Sequence, residues 1–334
     1  MRWCLGIGAL LSLTLACSGY DGPGPIAPRE SDADADGLSD DLEIALLRQF
    51  RPFWDLDPDE RLFPIPVNAW ARAGGAVVAV DGADPRPYAD LATLRAAVEA
   101  HPDGVMRPLG PPLEGAPPCP PGIDCPAGAP VYAEATPLVD APDTVWLQFW
   151  LFYGFDEKNL EFGVLSHRGD WEHVCVLVAL AAVGDPDAEP LGVHYHHPGE
   201  LDVTADPEWV ACREGASACV GRRHPRVYVD RGGHGSYPGS GATFLGPHRG
   251  GFEPGGGFLE TPLVPVRPHP RNALGLETGI LRAFRGRWGH EDAFTTGPGP
   301  VGPLVFGNPC DHDFLPRPSS SDWLPACRRG AAPR

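Results

Sequence analysis

The sequence predicts a mainly β protein: an antiparallel β-sandwich with long Pro/Gly loops and a few short helices, preceded by an acidic loop and helix. Three observations carry this reading. Gly (42) and Pro (41) are about a quarter of the 334 residues, which argues against a helical bundle and for strands joined by turns. The runs Val145–Phe155 and Trp171–Leu180 are dense in aromatic and β-branched residues, as in strands buried on both faces. Turn-rich segments separate them from shorter candidates at Leu191–His197 and Arg226–Asp230, the spacing of a sandwich. With 43% hydrophobic and 21% charged residues the chain can form a packed core, and wholesale disorder is excluded. A formal charge of −18 argues against nucleic acid as a partner.

At the N-terminus, Met1-Arg2 precedes an apolar run from Leu5 to Ala16. A bilayer span needs ~20 residues, so this run fits the core of a secretory signal instead. It ends Leu13-Thr14-Leu15-Ala16-Cys17-Ser18, which resembles a bacterial lipobox with Cys17 as the lipidated residue; an ordinary signal cleaved nearby is the alternative. Residues 1–16 are thus expected to be a lipoprotein signal peptide. Residues 17–31, rich in Gly and Pro, are expected to be a flexible tether. A lipidated Cys17 would hold the exported chain on the bacterial cell envelope, as an outer-membrane lipoprotein. Cysteine usage agrees with export. Cys119 and Cys125 lie close in a Pro-rich loop, Cys212 and Cys219 bracket another loop, and Cys310 and Cys327 bracket the C-terminal tail. Three local disulfides are the simplest pairing. Cys175 is left over as a buried thiol.

Residues 32–43 read DADADGLSDDLE. Asp32, Asp34 and Asp36 fall at loop positions one, three and five, Gly37 at six, Leu38 at seven, Asp40 at nine and Glu43 at twelve. That spacing wraps oxygen ligands around one point, as calcium requires. The bland alternative is a solvated acidic run. The preceding stretch is Pro/Gly-rich, so this unit resembles the half-hand loops of dockerins and thrombospondin type 3 repeats. Leu42, Ala45, Leu46, Gln49 and Phe50 then follow a helical period, predicting a helix from about Ser39 to Phe50. Residues 32–50 form this EF-hand-like calcium loop and helix, and 51–330 the sandwich domain. A second helix is expected at Asp90–Ala100, while 102–130 and 246–271 read as long loops.

The ligand chemistry concentrates at Ser166–His173 (SHRGDWEH). On a strand Asp170 and Glu172 share a face, and His167 lies on the turn leading in. One imidazole and two carboxylates make a divalent-cation site, calcium or magnesium, because burying two carboxylates without a counter-charge is costly. His234, in a Gly-flanked turn, is a fourth candidate. His173 faces the other way and reads as a core histidine. His194, His196 and His197 read equally as surface histidines or site residues.

Phe149–Tyr153 (FWLFY), Gly169–His173 (GDWEH) and Val227–Pro238 (VYVDRGGHGSYP) resemble, in this order, the vacuolar protein sorting-associated protein 62 family. Phe50-Arg51-Pro52, Glu60 and Phe63-Pro64 extend the resemblance upstream, and Asp230, Gly233 and Gly235 depart from it. It implies no catalytic activity. More distantly, His167–Glu172 resembles the GHRHDWE heptapeptide of necrosis- and ethylene-inducing-like cytolysins, β-sandwich proteins that bind a divalent cation and plant sphingolipids. That resemblance carries the cation ligands over to His167, Asp170 and Glu172, with a further Asp at Asp156. Gly169 stands where the heptapeptide has its second His, which counts against membrane lysis.

Three functions compete. The first is a metal-binding envelope protein that recognises a lipid or glycan. The second is a structural lipoprotein. The third is a metal-assisted hydrolase using His167, Asp170, Glu172 and His234. Common protease, esterase and nucleotide-binding signatures are absent.

Overall fold

Ser39 accepts a hydrogen bond from the Leu42 amide and caps helix α1 (Asp40–Gln49), whose first turn carries Asp40, Asp41 and Glu43, the charge its dipole favours there. The predicted helix is therefore present, with Ser39 and Phe50 as its caps. The structure is a computed structural model. It describes residues 31–67, 69–70, 77–79, 91–100, 105–107, 129–138, 141–157, 166–197, 200–204, 207–211, 223–242, 246–251, 262–266, 284, 287–289 and 302–303. The signal segment 1–16, Cys17 and the tether up to residue 30 lie outside the described residues. So do all six cysteines expected in disulfides: Cys119 and Cys125, Cys212 and Cys219, and Cys310 and Cys327. Among the described residues there is accordingly no disulfide, and the three expected pairings gain no support. Cys175, expected as a buried thiol, is free and buried.

In chain order, the strands before the first long hairpin are β1 (Phe53–Leu56), β2 (Val77–Ala79), β3 (Val105–Arg107) and β4 (Val131–Leu138). Helix α2 (Leu91–Ala100) lies between β2 and β3. The centre of the fold is made by β5 (Ala141–Asp156), β6 (His167–Ala179), β7 (Gly192–His197) and β8 (Glu200–Thr204). There follow β9 (Trp209–Ala211), β10 (Arg223–Val229), β11 (Ser236–Tyr237), β12 (Gly241–Ala242), β13 (Pro247–His248), β14 (Leu263–Pro265) and β15 (Arg287–Trp288).

The main sheet runs β14-β4-β5-β6-β7-β8, and a second holds β1-β10-β11 with β9 joined to β10. The chain is mainly β as expected, but its sheets are mixed. The ladders from β4 through β8 are antiparallel as expected, whereas β1 pairs with β10, β14 with β4, and β15 with β3 in parallel. The physical reason is distance along the chain. Each of these pairs joins segments too far apart for a hairpin, and such pairs are free to take either direction. The segments 102–130 and 246–271, read as loops, also contribute β3, β13 and β14.

Both faces of the main sheet are buried. On one, Val145, Leu147, Phe149, Leu151 and Tyr153 of β5 and Val174, Val176 and Val178 of β6 pack against Trp54 and Leu56 of β1 and Val227 and Val229 of β10. Leu38, Leu46, Leu47 and Phe50 join the same core, so the acidic loop and α1 close that side. On the other face Trp150, Phe152 and Trp171 pack with Trp70, Leu94, Val98, Phe284 and Trp288. Full burial of one such side chain is worth ~1.5–3 kcal/mol. Two-sided burial therefore explains why the middle of β5 is apolar at nearly every position.

Candidate metal centre

The pairing of β5 with β6 sets Asp156 opposite His167 and Tyr153 opposite Asp170. Between His167 and Asp170 the chain passes through Gly169 at φ 69°. A Cβ there would lie 3.1 Å from both the Trp288 carbonyl and the Trp70 ring, so glycine lets the strand end bend inward. His167 Nδ1 donates to the Gly169 carbonyl at 3.1 Å, and its Nε2 lies 2.9 Å from Asp156 Oδ2. A carbonyl can only accept, so Nδ1 carries the proton and Nε2 is the nitrogen that faces the carboxylates. Ligand atoms of Asp156, His167 and Asp170 all lie within 4.8 Å of one another, and both carboxylates are buried.

The turn after β10 supplies His234. Gly232, at φ 76°, would bring a Cβ within 3.0 Å of the Glu157 carbonyl oxygen. Its amide donates to Glu60 Oε2 at 2.8 Å, and its carbonyl accepts from the Glu157 amide at 2.8 Å. This pins the turn so that His234, itself at φ 58°, stacks on Tyr153 with ring centroids 3.7 Å apart. His234 Nδ1 donates to Asp170 Oδ2 at 2.9 Å, and its buried Nε2 has no hydrogen-bond partner among the described residues. Burial pulls the His234 pKa down. The bond to Asp170 and the charges of Glu60, Asp170 and Asp156 outweigh that and raise it to about 9. Burial, then Glu60, Asp170, Glu172 and Asp230, hold Tyr153 well above its usual value, so it stays a neutral phenol. The centre is strongly acidic; its carboxylates are buried, while the His167 side chain is 18% exposed.

Of the four residues read as ligands, His167 and Asp170 converge directly, together with Asp156. His234 touches Asp170 through Nδ1. Glu172 shares the Asp170 face but is drawn to His196, whose Nδ1 lies 3.1 Å from Glu172 Oε2. The ladder between β6 and β7 runs from Leu177↔Gly192 to Val174↔Tyr195, and this contact lies beyond it. His173 is the buried core histidine expected, stacked between Trp150 and His196. His194 lies opposite Cys175 beside Trp146, and His197 ends β7. Sequence reasoning missed Glu60 as part of the site. Its Oε1 accepts from the Arg61 and Leu62 amides, each at 2.7 Å, while Oε2 holds Gly232. No spacing rule links it to a turn about 170 residues away.

In the acidic loop, Asp32, Asp34 and Asp36 also offer oxygens within 4.8 Å of one another. The Gly37 amide donates to Asp32 Oδ2 at 3.2 Å, the Leu38 amide to Asp36 Oδ1 at 2.9 Å, and the Ala33 amide to Asp40 Oδ1 at 3.2 Å. Glu43 is 8% exposed and lies within the field of these aspartates. Burial, then the charges of Asp34, Asp36, Asp40 and Asp32, push its carboxyl up to about 9.

No family model matches the chain, and no curated protein matches it, so the resemblance to the vacuolar protein sorting-associated protein 62 family gains no support. Solved structures similar to it include toxin-fold proteins of the necrosis- and ethylene-inducing kind. One is Necrosis and Ethylene inducing Protein 2 from the causal agent of cocoa's witches' broom disease, 14% identical, covering 84% of this chain and 92% of that one, with a TM-score of 0.36. Others are NLPPya in complex with glucosamine (10% identical, 71% and 78% covered, TM-score 0.30) and a toxin fold for microbial attack and plant defense (13%, 71% and 78%, 0.30). At TM-scores this low the likeness carries no argument about what this chain binds.

Proposed function

We propose that this chain is an exported, lipid-anchored β-sandwich protein that binds a divalent cation through Asp156, His167 and Asp170 and recognises a lipid or glycan at that end of the sandwich. The observation behind this reading is the convergence of two buried carboxylates and one imidazole on a single point. The protonated His234 offsets the charge of Asp170, but the second buried carboxylate still forfeits its hydration, whereas a hard cation takes oxygen donors from both and tolerates an imidazole. His234 is a positioning residue: its bond to Asp170 Oδ2 fixes how that carboxylate is presented to the ion. Calcium occupies the loop from Asp32 to Glu43, where a nearly buried Glu43 in the field of four aspartates favours it. Lipidation of Cys17 holds the protein on the bacterial cell envelope.

The test is elemental analysis of purified chain carrying Asp156→Asn, His167→Ala or Asp170→Asn, with the acidic loop silenced by Asp34→Asn and Asp36→Asn. Each body variant is expected to lose its bound cation. Wild-type metal content in all three would end the reading. A lipid or glycan ligand that binds unchanged after the metal is lost would make the site purely structural.

A further inference from the structure

We propose that the cleft beside the metal centre binds a phosphoester group, held between the cation and the guanidinium groups of Arg61 and Arg231. This rests on the cation reading above. The cleft has a volume of about 290 Å³ and is lined by Asp59, Glu60, Arg61, Glu157, Arg231 and Gly232. That is the lower end of the range for small-ligand sites, suited to a headgroup-sized molecule. It adjoins the metal centre through the chain: Glu157 follows Asp156 at the end of β5, and Gly232 precedes His234 by two residues. The Glu157 amide bonded to the Gly232 carbonyl ties these two walls together.

The charge balance of the lining gives the ligand class. Glu60 is committed, its two oxygens accepting from the amides of Arg61, Leu62 and Gly232. Asp59 is committed to Arg249, whose Nη2 donates to it at 2.6 Å. Arg231 Nη1 stands 3.8 Å from Asp59, beyond hydrogen-bond reach, and Arg231 Nε is buried with no partner among the described residues. Arg61 is exposed and has no ion pair among the described residues. Among the described residues, the groups held by no hydrogen bond are the guanidiniums of Arg61 and Arg231, the latter in a loose ion pair with Asp59, and the Glu157 carboxylate. A guanidinium donates in a planar fork that fits phosphate oxygens. A phosphoester has enough oxygens to serve two arginines and the cation together, which a carboxylate with two oxygens does not. Glu157 is left to accept from a hydroxyl on the rest of the ligand. The chain's charge of −18 repels anions at long range, so recognition has to be local, as these two arginines provide.

The test uses the full chain with the acidic loop silenced by Asp34→Asn and Asp36→Asn and loaded with magnesium. Calorimetry with inorganic phosphate and glycerol 3-phosphate is paired with flotation on vesicles of phosphatidylcholine with or without phosphatidic acid. Metal content is measured on every sample. Arg61→Gln and Arg231→Gln are each expected to weaken binding by about tenfold while metal content is unchanged. Asp170→Asn is expected to lose both metal and phosphate binding. Arg223→Gln, at an exposed pair with Glu189, is the control expected to change nothing. Arginine-dependent binding of glycerol 3-phosphate supports a soluble source. Arginine-dependent binding confined to phosphatidic acid vesicles supports a lipid source. Metal-loaded protein that binds none of these probes, or binds them regardless of both arginines, overturns the proposal and leaves the cation reading standing. Arginine-dependent binding by protein that carries no metal overturns the bridging and the cation reading together.

Discussion

Asp170→Asn keeps the side-chain volume and removes one charge from a buried cluster. Asp170 lies within ligand distance of Asp156 and His167 and accepts from His234 at 2.9 Å. Even residues that merely orient a ligand cost about 10–100-fold in metal affinity when lost, so removing a ligating carboxylate should cost about a hundredfold or more. At a cation concentration 100 times the dissociation constant, binding stabilises the fold by about 2.7 kcal/mol; after a hundredfold loss only about 0.4 kcal/mol remains. The variant should therefore lose about 2.3 kcal/mol in magnesium, a fall of roughly 4 °C in melting temperature for a domain of this size. Without the ion two changes oppose each other. The charge-assisted bond to His234, worth ~1.5–3 kcal/mol, is weakened, but the repulsion from Asp156 is relieved. The loss in chelator should therefore be the smaller of the two. Differential scanning calorimetry of both proteins in magnesium and in chelator gives the comparison. Equal losses in the two conditions would mean that Asp170 serves only His234 and would refute the reasoning.

Glu43→Gln should abolish thermal stabilisation by calcium while leaving the calcium-free melting temperature unchanged or higher, since the wild-type carboxyl is disfavoured there; calorimetry with and without calcium checks this, and undiminished stabilisation would remove calcium from the loop. His224 donates through Nδ1 to the Arg51 carbonyl at 2.8 Å, and burial lowers its pKa, with the Arg51 charge lowering it further against that bond. A depressed folded-state value means stability present above the unfolded value, 6.5, and lost as pH falls below it toward the folded value. The slope is at most about 1.4 kcal/mol per pH unit, and His224→Gln should flatten it; urea midpoints at pH 7.5 and 5.5 with identical slopes in both proteins would count against this. Labelled palmitate should enter the wild-type protein in a bacterial host and fail to enter Cys17→Ser; labelling that survives the substitution removes the lipid anchor.

The parts of the fold legible in the sequence are those whose physics is local or doubly buried. β5 and β6 stand out because burial on both faces leaves near-continuous apolar runs, from Val145 to Tyr153 and from Val174 to Val178. α1 stands out because Ser39 caps it and Leu42, Leu46 and Leu47 share one side. What was not legible depends on register. Asp156 is reached only through a resemblance, because its meeting with His167 comes from an antiparallel pairing of residues eleven apart that no periodicity announces. Glu172 has the strand alternation of a ligand, yet a histidine on β7 takes it up. The parallel pairing of β1 with β10 joins segments some 170 residues apart. Gln49 shows the same limit. It looks like one more polar residue on α1, but its side chain bonds Ala182, Gly184 and Asp185 and fastens the helix to the turn after β6.

The central claim is that one divalent cation sits among Asp156, His167 and Asp170. Crystals of the chain, with the acidic loop silenced by Asp34→Asn and Asp36→Asn, can be soaked in manganese and measured at its absorption edge. The account expects one anomalous peak within bonding distance of Asp156, His167 Nε2 and Asp170. An empty site at full manganese occupancy elsewhere, or a peak held by Glu172 and His196 instead, would contradict it.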